Sequence, residues 1–426
     1  MTSLRPLLLL FAAVYLLFLT TITLRYCDIG PFAQDEWHAI RFGAESTPDR
    51  KAWRFQDFSI AFNFCREIQN GTTSRPYTSD GQKAIYTAWL GETPTAACPF
   101  SYSSTGILLF LPFCTLPVPL CYWAYVLVSL ALWFWALVQL WPSAVTPWQR
   151  RCFIITCLSV AFLTTVGNGQ SSILTSAFFA FVWLALVDVS TDTWRTLSTR
   201  SMMLCGLMVW VASFKPNLAF TLGVLLLVAR QWRPVLGATV VFVAGWLIIS
   251  PRLGGGWTAF QDYLTLLSRY DETSIGVYLS QGIDPKTYTN LQSLLVQTRW
   301  LDPVFAGRLN YVLWLGGTLT LLARAWFGPA GSPTFRLTAA LTLFLLFCPS
   351  VNATEDILFA LLILVTPFFR GGRAMPLKLL LLFVALNFNQ NLGLTYGTGL
   401  ENYPLPFIAK ALLLGWLLWD LRKPKS

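Results

Sequence analysis

Apolar residues run along this chain in long, nearly charge-free stretches separated by short polar connections. Most stretches approach the roughly 20 residues that an α-helix needs to cross a bilayer. They are 5–25, 104–141, 150–167, 170–188, 201–214, 216–230, 234–250, 308–327, 334–350, 354–370, 376–393 and 404–421. The second is too long for one crossing and too broken for two, because Pro112, Pro117 and Pro119 interrupt its first half. It predicts a broken or re-entrant piece leading into one full span. Non-helical backbone at that depth must be covered by protein or line a wet cavity. The apolar run Leu7–Leu24 behind Arg5 exceeds the roughly 7–15-residue core of a secretory signal and lacks a small-x-small cleavage site, so it predicts a retained span. The pattern as a whole predicts an all-α integral membrane protein, a multi-span helical bundle with about twelve crossings. Residues 1–426 form one polytopic domain with two large loops, 26–103 and 251–307, on the side opposite the termini. Within the first loop, Phe58, Ala61, Phe62, Cys65 and Ile68 recur at helical spacing. They predict an amphipathic helix lying on the membrane surface.

Composition agrees. Hydrophobic residues make up 55% of the 426 and charged ones only 12%, so the chain can fill a large core but cannot coat it with a polar surface. Lipid resolves that imbalance. The net charge of +10 does not imply nucleic acid, because the basic residues form no stripe and no reading motif accompanies them. They cluster instead in the short connections on one side: Arg150/Arg151, Arg195/Arg200, Arg230/Arg233, Arg324/Arg336, Arg370/Arg373/Lys378 and Arg422/Lys423/Lys425. The opposite short connections carry Lys215 and almost no other base. By the positive-inside rule both termini are cytoplasmic and the large loops extracytoplasmic, in a plasma membrane. Acids fall mostly on the extracytoplasmic side, with Asp188, Asp192 and Asp420 as the cytoplasmic ones.

Cysteines and histidine restrict the chemistry further. Most cysteines lie in the apolar runs as small fillers. Cys27, Cys65 and Cys98 share the first large loop, where one disulfide is compatible with an oxidising side and its pairing is open. No zinc-type spacing exists, and the single histidine, His38, is no metal site by itself. A divalent cation is not indicated. Asn70 and Asn352 begin outward-facing sequons that matter only in a glycosylating compartment.

Five polar features stand out on the extracytoplasmic side. Asp57, flanked by Phe55 and Phe58, is a partly desolvated carboxylate suited to a general base, or else a helix cap. Asp35-Glu36 is a carboxylate pair that can contact a substrate or simply be solvated. Gly167-Asn168-Gly169-Gln170 is a tight turn whose glycines also let backbone approach a ligand. Lys215, followed by Pro216-Asn217, is a cation at the membrane boundary; it either snorkels or holds an anion, and its compact ammonium suits a phosphate. Glu355-Asp356 opens a span, where the helix dipole favours acids. Together these carboxylates and the lysine suit a site that deprotonates a hydroxyl and holds a phosphate.

These residues resemble glycosyltransferase family 87, of the GT-C superfamily of polyprenyl-phosphate-sugar-dependent transferases. The similar blocks are Asp57-Phe-Ser-Ile-Ala-Phe with Gly71 and Tyr77; Tyr102 and the Pro112-rich run; Gly169-Gln170-Ser171; and Ala212-Ser-Phe-Lys215-Pro216 followed by Arg230-Gln-Trp-Arg233. Asn290-Leu-Gln-Ser293-Leu and Cys348-Pro349-Ser350 follow in order. Each block is loose; order and spacing make the case. The resemblance implies a GT-C-type bundle and an inverting membrane glycosyltransferase. It would move a hexose or pentose, mannose-like, from a polyprenyl-phosphate sugar donor to an envelope glycolipid or glycan acceptor. It implies Asp57 as general base and Lys215 as the cation on the leaving phosphate, with Gln170 and Asn217 as further contacts. Asp35, Glu36, Glu355, Asp356 and Ser293 are candidate substrate contacts. One departure stands out: members of the family often carry a histidine where this chain has Glu355-Asp356. Either the acids take over substrate contact or the acceptor differs. The rival reading from another class is a transporter or flippase of a lipid-linked or anionic substrate. Transporters tend to show paired repeats with matching broken helices, and this chain shows one strongly broken segment and no repeat.

Overall fold

The structure is a computed structural model that describes residues 5–26, 56–90, 102–141, 145–167, 169–188, 191–268, 290–328, 331–348, 355–388 and 404–422. Those residues are all-α apart from one short hairpin. In chain order the helices are α1 (Arg5–Tyr26), α2 (Gln56–Gln69), α3 (Ser79–Leu90), α4 (Ser104–Phe110), α5 (Val118–Leu140), α6 (Pro147–Cys157), α7 (Val160–Gly167) and α8 (Ser172–Leu186). The hairpin pairs β1 (Val187–Asp188) with β2 (Thr193–Trp194). Then come α9 (Thr199–Ala212), α10 (Pro216–Val228), α11 (Trp232–Ile249), α12 (Gly256–Ser268), α13 (Leu291–Gln297), α14 (Pro303–Phe327), α15 (Pro333–Phe347), α16 (Phe359–Val365), α17 (Met375–Asn387) and α18 (Leu405–Arg422). Helix α5 packs along α8, α9 along α11, α14 along α15 and α17 along α18.

Two stretches among the described residues, Val118–Leu140 and Trp232–Leu253, are long and apolar enough to cross a membrane; α6 and α7, bent by 43°, make a third if they form one span. Several other helices are apolar but shorter. The outward faces are apolar too: Leu247 and Ile248 on α11 are 68% and 69% exposed, and Leu9, Trp135 and Met203 lie open on other helices. A soluble surface would carry polar side chains at such positions, so this one is dressed for lipid.

The proline-broken segment folds as its sequence predicts. Helix α4 ends in a 3₁₀ turn, Leu111–Phe113, before α5 starts behind Pro117. The carbonyls stranded by that break find a cation: Arg66 donates from Nε to Cys114 O at 2.9 Å and from a terminal nitrogen to Leu116 O at 3.1 Å. Arg66 comes from α2, the amphipathic helix expected in the first loop. Its apolar residues Phe58, Ala61, Phe62, Cys65 and Ile68 are all buried against protein. The helix is therefore bracketed into the bundle, where the sequence reading laid it on lipid.

The segment 354–370 departs from expectation. A regular span was predicted; the chain instead makes a 3₁₀ turn (Glu355–Leu358), the two-turn α16, and a second 3₁₀ turn (Pro367–Phe369). Every residue from Glu355 to Thr366 is buried. At about 1.5 Å per residue, α16 covers only about 10 Å, a third of a hydrocarbon core. Its hydrophobicity serves protein contact on all sides. The buried Gln149 of α6 ties it down, donating from Nε2 to Ile363 O at 3.3 Å while completing the cap of its own helix with Thr146.

Candidate functional site

The site grows from the start of α10. Pro216 occupies the first turn of that helix, where its missing N–H is no loss. The residue before a proline is pushed out of the α region, and Lys215 is extended at φ −116°, ψ 97°. This sends Lys215 off the helix axis as its N-cap, with its Nζ bonded to Glu355 Oε1. The same Glu355 oxygen accepts a hydrogen bond from Ser172 Oγ at 3.1 Å. Asp356, next in the chain, accepts from Lys410 Nζ at 2.5 Å. Thus one 3₁₀ turn carries two carboxylates, each held by its own lysine. Glu355, Asp356 and Lys410 have no exposed side-chain surface, whereas Lys215 keeps 18%, so it is the member of the quartet that a ligand can reach.

Serine and aromatic contacts fix the Lys215 segment. Ser103 Oγ donates to Ser213 O at 2.7 Å, and the hydroxyls of Thr105 and Ser213 lie 2.7 Å apart. The rings of Tyr102 and Phe214 pack at 5.4 Å. Tyr77 in turn donates its hydroxyl to Tyr102 O at 2.9 Å. On the other flank, the turn leading to Ser172 contains Gly169 at φ +59°, and a Cβ there would stand 2.8 Å from Phe58 Cβ and 3.0 Å from the Tyr122 ring. Only glycine meets both demands. Tyr122 secures the turn by donating to Gly167 O at 2.9 Å. This packing sets Phe58, the residue after Asp57, against the turn that carries Gln170 and leads into Ser172.

The structure places the sequence candidates as follows. Asp57 lies in the first turn of α2, and its side chain falls outside the described residues, as do Asp35, Glu36, His38, Asn168, Cys27 and Cys98. Gln170 is buried in the turn beside Ser171 and Ser172. Asn217 is half-buried, and its Oδ1 accepts from Leu218 N at 2.8 Å. Ser293 is buried on α13, where its N–H is capped by Asn290, whose amide also donates to Cys348 O at 3.0 Å. Sequence blocks far apart in the chain thus become neighbours: 58 with 169, 102–105 with 213–214, 215 with 355, 290 with 348.

The profile of glycosyltransferase family 87 matches residues 100–349. The chain belongs to glycosyltransferase family 87. It is a membrane glycosyltransferase. No curated protein and no solved structure matches it significantly. The family 87 match contains Gln170, Lys215, Asn217 and Ser293, and it stops short of Glu355, Asp356 and Lys410.

Sequence reasoning missed Lys410 and Ser172. A lysine within an apolar run, as in Phe407-Ile-Ala-Lys410-Ala-Leu, is itself the signal of an intramembrane partner. Among the described residues of this family 87 protein, no three metal-ligating side chains stand together. Cys65 is a free thiol buried in α2; burial, with Cys114 beside it, pushes its pKa well up, which makes it an inert filler.

Proposed function

We propose that this family 87 enzyme transfers a hexose or pentose, mannose-like, from a polyprenyl-phosphate sugar to an envelope glycolipid or glycan. The acceptor oxygen attacks the anomeric carbon from the face opposite the phosphate, so the configuration inverts. Its proton passes to Asp57 as the new C–O bond forms. The bond from that carbon to the phosphate oxygen breaks, and the phosphate leaves on the lipid with its negative charge facing Lys215. A positioned base contributes about 10²–10⁴ in rate. A cation fixed where charge develops in a water-poor site adds electrostatic stabilisation. Gln170 and Asn217 serve as neutral donors to that phosphate, with Ser293, Asp35 and Glu36 as further substrate contacts. Glu355 and Asp356 act as counterions of the two lysines.

The observation that carries this reading is the partly open Lys215, held by a Glu355 that Ser172 also binds, at the end of the turn against which Phe58 packs. A lysine that merely snorkelled would point to lipid headgroups and need no buried carboxylate. The proposal includes the topology: one domain of about twelve crossings, cytoplasmic termini, and an extracytoplasmic site on the same side as the loops 26–103 and 251–307.

The experiment supplies purified protein in lipid nanodiscs with polyprenyl-phosphate sugars and, separately, nucleotide sugars, beside glycolipid acceptors. Sugar appearing on acceptor with inverted configuration, together with free polyprenyl phosphate, is the expected result. A protein that consumes no donor yet moves the lipid-linked sugar across a bilayer would be a flippase, and the proposal would be wrong.

A further inference from the structure

The buried pair Asp356–Lys410 touches neither the proton nor the phosphate in the proposed transfer, yet it sits beside Glu355, which holds Lys215. Asp356 is adjacent in the chain to Glu355, on the same 3₁₀ turn. Lys410 reaches that turn from α18, holds Asp356 at 2.5 Å, and also lies close enough to Glu355 to attract it. All three are wholly buried. Ion pairs in such surroundings seldom earn their place by stability alone, because similar hydrophobic residues would pack as well without the desolvation cost. With the two carboxylates consecutive on one turn and Lys410 also attracting Glu355, the crossed pairing, Lys215 with Asp356 and Lys410 with Glu355, is the competing arrangement.

We infer that Lys410 is a positioning residue: by occupying Asp356 it keeps that carboxylate off Lys215 and leaves the Lys215 ammonium answerable to Glu355 and to a lipid phosphate. This rests on the proposed role of Lys215 as the phosphate cation. With Asp356 engaged, Lys215 has one carboxylate to release when phosphate arrives. The released Glu355 keeps Ser172 and the neighbouring charge of Lys410. Take Lys410 away, and two carboxylates on one turn compete with the phosphate for Lys215. Take Asp356 away instead, and Lys410 draws on Glu355, which loosens its hold on Lys215. The two single changes therefore act in opposite directions.

That sign difference is the test, because structural damage weakens binding in both variants. The measured quantity is the affinity of nanodisc-embedded protein for polyprenyl phosphate, corrected for the folded fraction. Lys410→Met should weaken binding by on the order of tenfold or more, since one unit charge acting at about 10 Å through an effective dielectric constant of about 20 already amounts to that. Asp356→Asn should tighten binding, and the double variant should return near the parent value. If Lys410→Met does not fold, the tighter binding of Asp356→Asn still carries the inference. Weaker or unchanged binding by Asp356→Asn overturns it. Lys215→Met tells the two levels apart. Unchanged affinity in that variant removes the phosphate role of Lys215 itself, whereas lost affinity there with no gain in Asp356→Asn removes only the role of Lys410.

Discussion

At the scale of single residues, the site depends on positions where one side chain alone is tolerated. Gly169 needs a left-handed backbone and also lies within 2.8 Å, at its would-be Cβ, of Phe58. Gly169→Ala therefore meets backbone strain of about 1–3 kcal/mol and an overlap in addition. A lowered unfolding temperature and reduced transfer are expected, read by thermal unfolding in detergent and by product formation; an unchanged unfolding temperature would mean that the turn is not as tight as described. Lys215 was legible because a lysine in a short connection broke the charge pattern, and Pro216 after it gave away the helix start. Its partner was not, since 140 residues separate Lys215 from Glu355 and a carboxylate at a helix start already has a local explanation in the dipole. Lys410 escaped for a related reason: one lysine barely lowers the hydropathy of an 18-residue apolar helix, and Asp356 stands 54 residues away.

At the scale of elements, the broken segment was legible and the short buried one was not. Pro112, Pro117 and Pro119 remove backbone donors and so announce the break between α4 and α5. Nothing comparable separates a span from the stretch Glu355–Phe369, because a hydropathy window cannot tell contact with lipid from contact with protein. The break has its own support in α2. Arg66 satisfies the carbonyls of Cys114 and Leu116, and its guanidinium also lies 5.0 Å from the centre of the Phe62 ring. Arg66→Ala should destabilise the protein by about 1–3 kcal/mol, the cost of leaving such acceptors without a partner. Lysine at this position should recover only part of that loss, since one ammonium lacks the fork that serves two carbonyls. Equal stability of all three proteins would deny the clamp.

At the scale of the whole molecule, the apolar exterior and the family membership agree on a membrane enzyme, and the charge pattern is the basis of the proposed orientation. Exposed Lys83 on α3 and exposed Arg195 near the hairpin fall on opposite sides of the proposed topology. A membrane-impermeant thiol reagent applied to intact cells should add label, relative to the parent protein, to Lys83→Cys and not to Arg195→Cys. The reverse pattern would invert the protein and move the site to the cytoplasm. Family membership was the feature most legible at this scale, because the order of blocks survives even where each is loose. Their convergence around Lys215 needed three dimensions. In the proposed mechanism this convergence performs base-assisted sugar transfer from a lipid phosphate. The most direct measurement compares the transfer rate of Asp57→Asn with that of the parent protein, at saturating polyprenyl-phosphate sugar and in matched folded amounts. A fall of about 10²–10⁴ with polyprenyl phosphate binding retained is expected. A variant that transfers sugar at the parent rate would contradict that mechanism and would send the search for the base to Asp35 and Glu36.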